Sequence, residues 1–136
     1  MTIVGVLAVV ALPRFSSTST AYDDFRLYDE TVAALRFAQR SATAMQRTVC
    51  VTFDVTNRQL SLTYATTYGS ASCTPTLPPP GGTGGATSYV VTAQGAAVYS
   101  GATNLSFDRV GRPSVPQTIT IGSRTITIET ETGYVR

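Results

Sequence analysis

The sequence predicts an α+β protein: an N-terminal helix, apolar at first and amphipathic later, packed on an antiparallel β-sheet domain. Three observations carry the prediction. Apolar residues recur at spacings of three and four as far as Met45. From Thr48 the period changes to two. The last third then closes in "TITIGSRTITIE", a hairpin whose turn residues set its register.

The chain has 136 residues, enough for one domain with a real core. Only 13% of the residues are charged and the formal net charge is +2, so composition gives no strong basic field and does not indicate nucleic acid. All ten basic residues are arginine, and neither His, Lys nor Trp occurs. This removes the usual general base and the commonest metal ligand, so no cofactor or metal is expected.

Taken in order, the first segment, 1–15, holds Ile3, Val4, Gly5, Val6, Leu7, Ala8, Val9, Val10, Ala11 and Leu12, an uncharged run closed by Pro13 and Arg14. A helix needs about 20 apolar residues to span a bilayer, so this run alone is too short. It also lacks the basic flank of a secretory signal, since only Met1 and Thr2 precede it. "SSTST", Ser16 to Thr20, is poor helix material because its side chains compete for backbone hydrogen bonds, and a break is expected there. Thr20 and Asp23 resemble a capping box, and Phe25, Tyr28, Val32, Leu35, Ala38, Ala42 and Met45 then mark the buried stripe of an amphipathic helix over 21–46. Arg26 and Glu30 on its other side stand at i,i+4. The carboxylates Asp23, Asp24, Asp29 and Glu30 fall near the expected helix start, where negative charge is favoured without any chemistry.

The β domain is expected over 47–136. In "TVCVTFD" and "RQLSLTY", Val49, Val51, Phe53, Leu60, Leu62 and Tyr64 share one sheet face through a turn at Val55 to Asn57. Cys50 points to the opposite face, so the segment bearing Cys73 must cross that side if the two are bonded. A Cys50–Cys73 disulfide is the expectation and two separate buried thiols the alternative. Such a bond anchors a Pro- and Gly-rich loop over about 65–88, with Pro78 to Pro80 extended. Short strands are expected at "SYVVT", "AAVYS" and "NLSFD", and "FDRVGRPSVP" reads as a tight connection that exposes Arg112. In the closing hairpin Gly122-Ser123 is a type II′ turn. It sets Ile121 against Arg124, Ile119 against Ile126 and Thr118 against Thr127. No nucleophile, acid–base pair or phosphate loop emerges, and no enzyme is expected.

Three stretches resemble the type IV pilin-like proteins, in particular GspH/FimT-type pseudopilins and minor pilins. "VGVLAVVALPRF" resembles the family's transmembrane helix, with Gly5 and Pro13 at matching places. "YDETVAALRFAQRSATAMQRTVCVTFD" resembles the passage from helix to first strand, and "LSFDRVGRP" with "ITIETETGYVR" the C-terminal strands. The family's basic leader, peptidase site and early helix glutamate have no counterpart here. The resemblance therefore implies that about nine mature residues and the leader precede Met1, which would bring the apolar run to a spanning length.

The resemblance implies a non-enzymatic pilin-like subunit held in the bacterial inner membrane by one helix, its β domain in the periplasm, and later built into a filament. Implied partners are other pilins or pseudopilins, the inner-membrane assembly platform and, before assembly, membrane lipid. The filament is a type II secretion pseudopilus or a type IV pilus. Two other readings stand beside it. One is a DNA-uptake minor pilin, for which Arg109, Arg112, Arg124 and Arg136 are the candidate contacts. The other is a secreted β-rich adhesin-like or carbohydrate-binding domain cleaved after Ala11.

Overall fold

The computed structural model describes residues 2–80 and 88–136, with side chains from residue 21 onward. Residues 81–87, the glycine-rich part of the expected loop, lie outside the described residues.

One helix, α1, runs from Thr2 to Met45. It passes through Pro13 and through Ser16 to Thr20 without interruption, so the expected break and the capped start near Thr20 are not found. The reason is cooperativity. Extending a helix adds one hydrogen bond per residue fixed, whereas a second start must repeat a costly nucleation, and a few unfavourable Ser and Thr residues weigh less than that. The acidic group Asp23 to Glu30 therefore lies within the helix and not at its N-terminus.

The helix ends in a well-formed cap. Gln46 takes a left-handed φ of 55°, and the Arg47 N–H returns to the Ala42 carbonyl at 3.2 Å, a Schellman-type closure. A non-glycine residue is held in that conformation because the Gln46 amide donates to the Thr43 carbonyl at 2.7 Å.

The strands are β1 (Val49–Asp54), β2 (Gln59–Tyr64), β3 (Val90–Thr92), β4 (Leu105–Phe107), β5 (Gln117–Ile121) and β6 (Arg124–Ile128). They form a four-stranded sheet in the order β3-β2-β1-β4 and a two-stranded sheet β5-β6, and every pairing is antiparallel. The first hairpin pairs Val49 with Tyr64 and Asp54 with Gln59, which places Val49, Val51, Phe53, Leu60 and Leu62 in the core as the alternation requires. Tyr64 is only half-buried at the end of that row.

The closing hairpin has the expected register throughout, including Thr120 opposite Thr125. Ile119, Ile121, Ile126 and Ile128 are all buried. Gly122 has φ +59° and Ser123 does not, as a type II′ turn demands.

"AAVYS" is not a strand. Ala97 and Tyr99 turn inward, and only Ser100 bridges to Thr120 of β5. The helix stripe is also rotated from the one expected. The buried positions are Leu27, Thr31, Ala34, Leu35, Ala38 and Ala42, Phe25 is 43% exposed, and Tyr28, Val32 and Met45 lie on the flank. The alanines let the helix axis approach the sheets closely. Thr31 enters the core because its hydroxyl shares a 2.9 Å hydrogen bond with the buried Tyr99 hydroxyl. That partner, 68 residues away, is invisible to local periodicity.

Candidate assembly surfaces

The described side chains of helix α1 pack on the β domain along its second part. Among the helix residues whose side chains are described, those that meet the β domain run from Asp23 to Gln46. The run from Ile3 to Leu12, with Gly5 and Pro13, belongs to the same helix, and its side chains lie outside the described residues. Among the described residues no helix is long and apolar enough to cross a membrane.

The two ends of the β domain sit at opposite ends of this helical stretch. Near Asp23 and Asp24 lie Gly95 and the Gly122 turn, each so close that a Cβ on the glycine would overlap the carboxylate. The Arg58 guanidinium donates to the Gly95 and Ala97 carbonyls and ties the β1–β2 turn to the same end. Near Gln39 to Gln46 lie the turn from Asp108 to Arg112 and the segment around Thr132 and Gly133. The Gln39 amide donates to the Thr132 carbonyl at 2.9 Å and to the Gly111 carbonyl at 3.2 Å. One side chain therefore fastens two loops to the helix. Nothing local in the sequence marks Gln39 for this role, although the glycines at 111 and 133 are the residues that make room for it.

Cys50 and Cys73 are joined, with Cα atoms 6.2 Å apart. Beyond the bond, the loop is more ordered than a surface loop needs to be. The Tyr64 N–H donates to Pro75 at 3.0 Å and the Leu77 N–H to Leu62 at 3.0 Å, so residues 75–77 cover the outer edge of β2. Leu77 is buried in the core. The outer edges of β4 and β6 are covered in a similar way. Ser114 exchanges hydrogen bonds with Ser106 of β4, and Arg136 with Thr127 of β6.

The four arginines considered for DNA contact do not form one surface. Arg124 lies over the rings of Phe25, at 4.5 Å, and Tyr28, at 5.4 Å. Arg136 pairs with Glu129 at 2.8 Å, at the level of Arg36, which donates to the Val135 carbonyl. Arg109 stacks on and donates to the exposed Tyr68, and its carbonyl accepts from Gln46. Only Arg109 and the exposed Arg112 share a turn. From Tyr28 to Gln46 the helix rises about 27 Å, which separates Arg124 from that pair. A cleft of about 300 Å³ beside it is lined by Gln46, Arg47, Thr48, Gly69, Asp108 and Arg109.

The polar chemistry of the domain is used for structure. Tyr99 is pushed up to about 12 by burial, the Thr31 hydrogen bond opposing the shift. Asp54 is held below the usual carboxylate range by hydrogen bonds from the Asn57 backbone and side chain, which fix the β1–β2 turn. Arg26 and Glu30 form the expected i,i+4 pair at 3.0 Å. Among the described residues no group of His, Cys, Asp or Glu is arranged to hold a metal ion.

A long N-terminal helix whose second part packs across small antiparallel sheets, with a disulfide-anchored loop, is the pilin-like fold. Solved structures agree with that assignment. The type IV minor pilin FimU of Pseudomonas aeruginosa is similar at 16% identity, covering 89% of this chain and 89% of that chain with a TM-score of 0.57. In a second crystal form FimU covers 82% of this chain and 89% of its own, at 13% identity and a TM-score of 0.58. The minor pseudopilin EpsH from the type II secretion system of Vibrio cholerae matches at 15% identity, covering 79% of this chain and 87% of that chain with a TM-score of 0.58. No protein-family model and no curated protein matches the sequence.

Proposed function

We propose that this chain is a minor subunit of a type IV pilus or of a type II secretion pseudopilus, and that it is assembled through the first part of α1. The observation that carries the proposal is the division of labour along one uninterrupted helix. Residues from Asp23 onward build the domain, while the same helix bears the apolar run Ile3–Leu12 at its other end. The likeness of the fold to a minor pilin and a minor pseudopilin supports this reading.

In this role the N-terminal helix holds the subunit in the bacterial inner membrane, with the β domain in the periplasm, and then packs among other such helices in the filament core. Both surroundings are apolar, so the transfer involves little change in hydrophobic free energy. Gly5 and Ala8 are small enough to permit close helix approach. The partners are other pilins or pseudopilins and the assembly platform, and the work is assembly without catalysis.

The test is incorporation. Sheared filaments from cells producing the tagged chain should contain it, and Gly5→Leu should remove it from them while the β domain keeps its disulfide and its thermal transition. Normal incorporation of Gly5→Leu would count against the proposal. The major subunit found in the same sheared fraction distinguishes a pilus from a pseudopilus.

A further inference from the structure

The outer edges of β4, β5 and β6 each exchange hydrogen bonds with a neighbouring segment, through Ser114, Ser100 and Arg136. β3 differs. Its register sets Gln59 against Thr92, Leu60 against Val91 and Ser61 against Val90. On either side of it the Leu62 N–H donates to the Tyr89 carbonyl at 3.3 Å and the Ala93 N–H to the Arg58 carbonyl at 2.9 Å. An antiparallel ladder bonds alternate residues, so Tyr89, Val91 and Ala93 turn their backbone groups to the sheet, and those of Val90 and Thr92 point away from it. Among the described residues no hydrogen bond reaches these outward groups. Val90 is 44% exposed, and this edge carries neither the charge nor the proline that guards many others.

A cavity of about 460 Å³ opens at the same edge, with Pro79, Pro80, Tyr89 and Val90 among its walls. The Tyr89 ring is stacked on Phe37 at 5.3 Å, which fixes that wall. Glu30 is the one charged residue among the described residues that line it, and its carboxylate already accepts from Arg26 at 3.0 Å. The cavity therefore suits an apolar side chain and asks for no countercharge.

We propose that the open edge of β3 takes up an extended, uncharged segment of another protein as an added strand, with one apolar side chain seated beside Pro79 and Pro80. Val90 and Thr92 offer the donors and acceptors for the segment's main chain, and the cavity selects among its side chains. A second copy of this chain is a poorer occupant. Pairing two strands of three residues each buries far less than the roughly 1,200 Å² that a stable complex of folded partners needs, whereas a free segment also fills the cavity. This contact is separate from assembly through the first part of α1.

The experiment uses the full chain in uncharged detergent micelles and a fluorescein-labelled peptide, GSTVTLTVSG, followed by fluorescence anisotropy. Binding should saturate. Val90→Pro removes an outward N–H and no bond to β2, and it should weaken binding roughly tenfold. Replacing the peptide's leucine by aspartate should weaken it by a similar factor, because the cavity gives a buried charge no partner. Circular dichroism confirms that the variant is folded, and amide exchange in the wild type tests the edge without any variant. The Val90 and Thr92 amides should exchange freely in the chain alone and become protected with excess peptide, while Val91 and Ala93 are protected throughout. Protection of Val90 and Thr92 before peptide is added, or equal binding to Val90→Pro, would overturn the proposal. So would self-association of the wild type that Val90→Pro abolishes, since a second copy would then hold the edge.

Discussion

Replacing Gly133 by alanine tests how the C-terminal segment is fastened to the helix. Gly133 has φ +69°, and a Cβ placed on it would lie 2.6 Å from Gln39 Nε2 and 3.2 Å from the Gly111 carbonyl carbon, overlapping the Gly111 oxygen itself. A backbone carbonyl has no flexible end to swing aside, so one of the two loops must move. Moving either removes the Gln39 bond to Gly111 or to Thr132. Losing one of them amounts to about 1 kcal/mol. The left-handed backbone adds about 1–2 kcal/mol for any L side chain. The expected destabilisation is therefore about 2–3 kcal/mol.

Gly69 supplies the control. Its φ is +79°, but a Cβ there meets nothing within 4 Å, so Gly69→Ala should show the backbone contribution alone. The assay is urea unfolding of the full chain in detergent micelles, followed by circular dichroism, since the chain contains no tryptophan. If Gly133→Ala costs no more than Gly69→Ala, the close approach of the two loops is not what holds this end of the domain.

Two further expectations concern groups buried or bonded within the fold. Because Tyr99 is raised to about 12 by burial, the folded state binds its phenolic proton more tightly than the unfolded state does. Stability from this source is complete below about pH 10 and falls as pH rises toward 12, by roughly 2–3 kcal/mol in all. Tyr99→Phe should abolish that alkaline loss while costing about 1–3 kcal/mol at neutral pH, because the Thr31 hydroxyl is left buried without its partner; a melting series from pH 8 to 12 checks both. For the disulfide, the cysteines are 23 residues apart. Replacing both by serine should lower unfolding free energy by roughly 3 kcal/mol from loop closure, and reducing agent should reproduce the loss in the wild type but leave the variant unchanged.

Local chemistry alone determined the α+β class, the two hairpins and the register of β5 against β6. A glycine first in a two-residue turn and strict alternation of isoleucine and threonine leave only one pairing that buries every isoleucine. The side of the sheet on which Cys73 must lie was equally legible, because alternation fixes the direction of Cys50. Composition had already excluded histidine chemistry.

Tertiary structure decided what depends on distant partners. Which helix face is buried turned on Thr31 finding Tyr99 and on alanines meeting the sheets, so Phe25 went outward to lie under Arg124. Helix continuity through Ser16 to Thr20 followed from cooperativity across the whole segment, which a reading of five residues could not supply. The dispersal of Arg109, Arg124 and Arg136 came from strand direction: β5 and β6 carry their turn to the acidic end of the helix, while the chain after β4 turns at the other. Gln39 remained invisible for a related reason. A glutamine on a helix becomes a fastening only when two loops from distant parts of the chain bring their carbonyls to it, and no periodicity records that meeting.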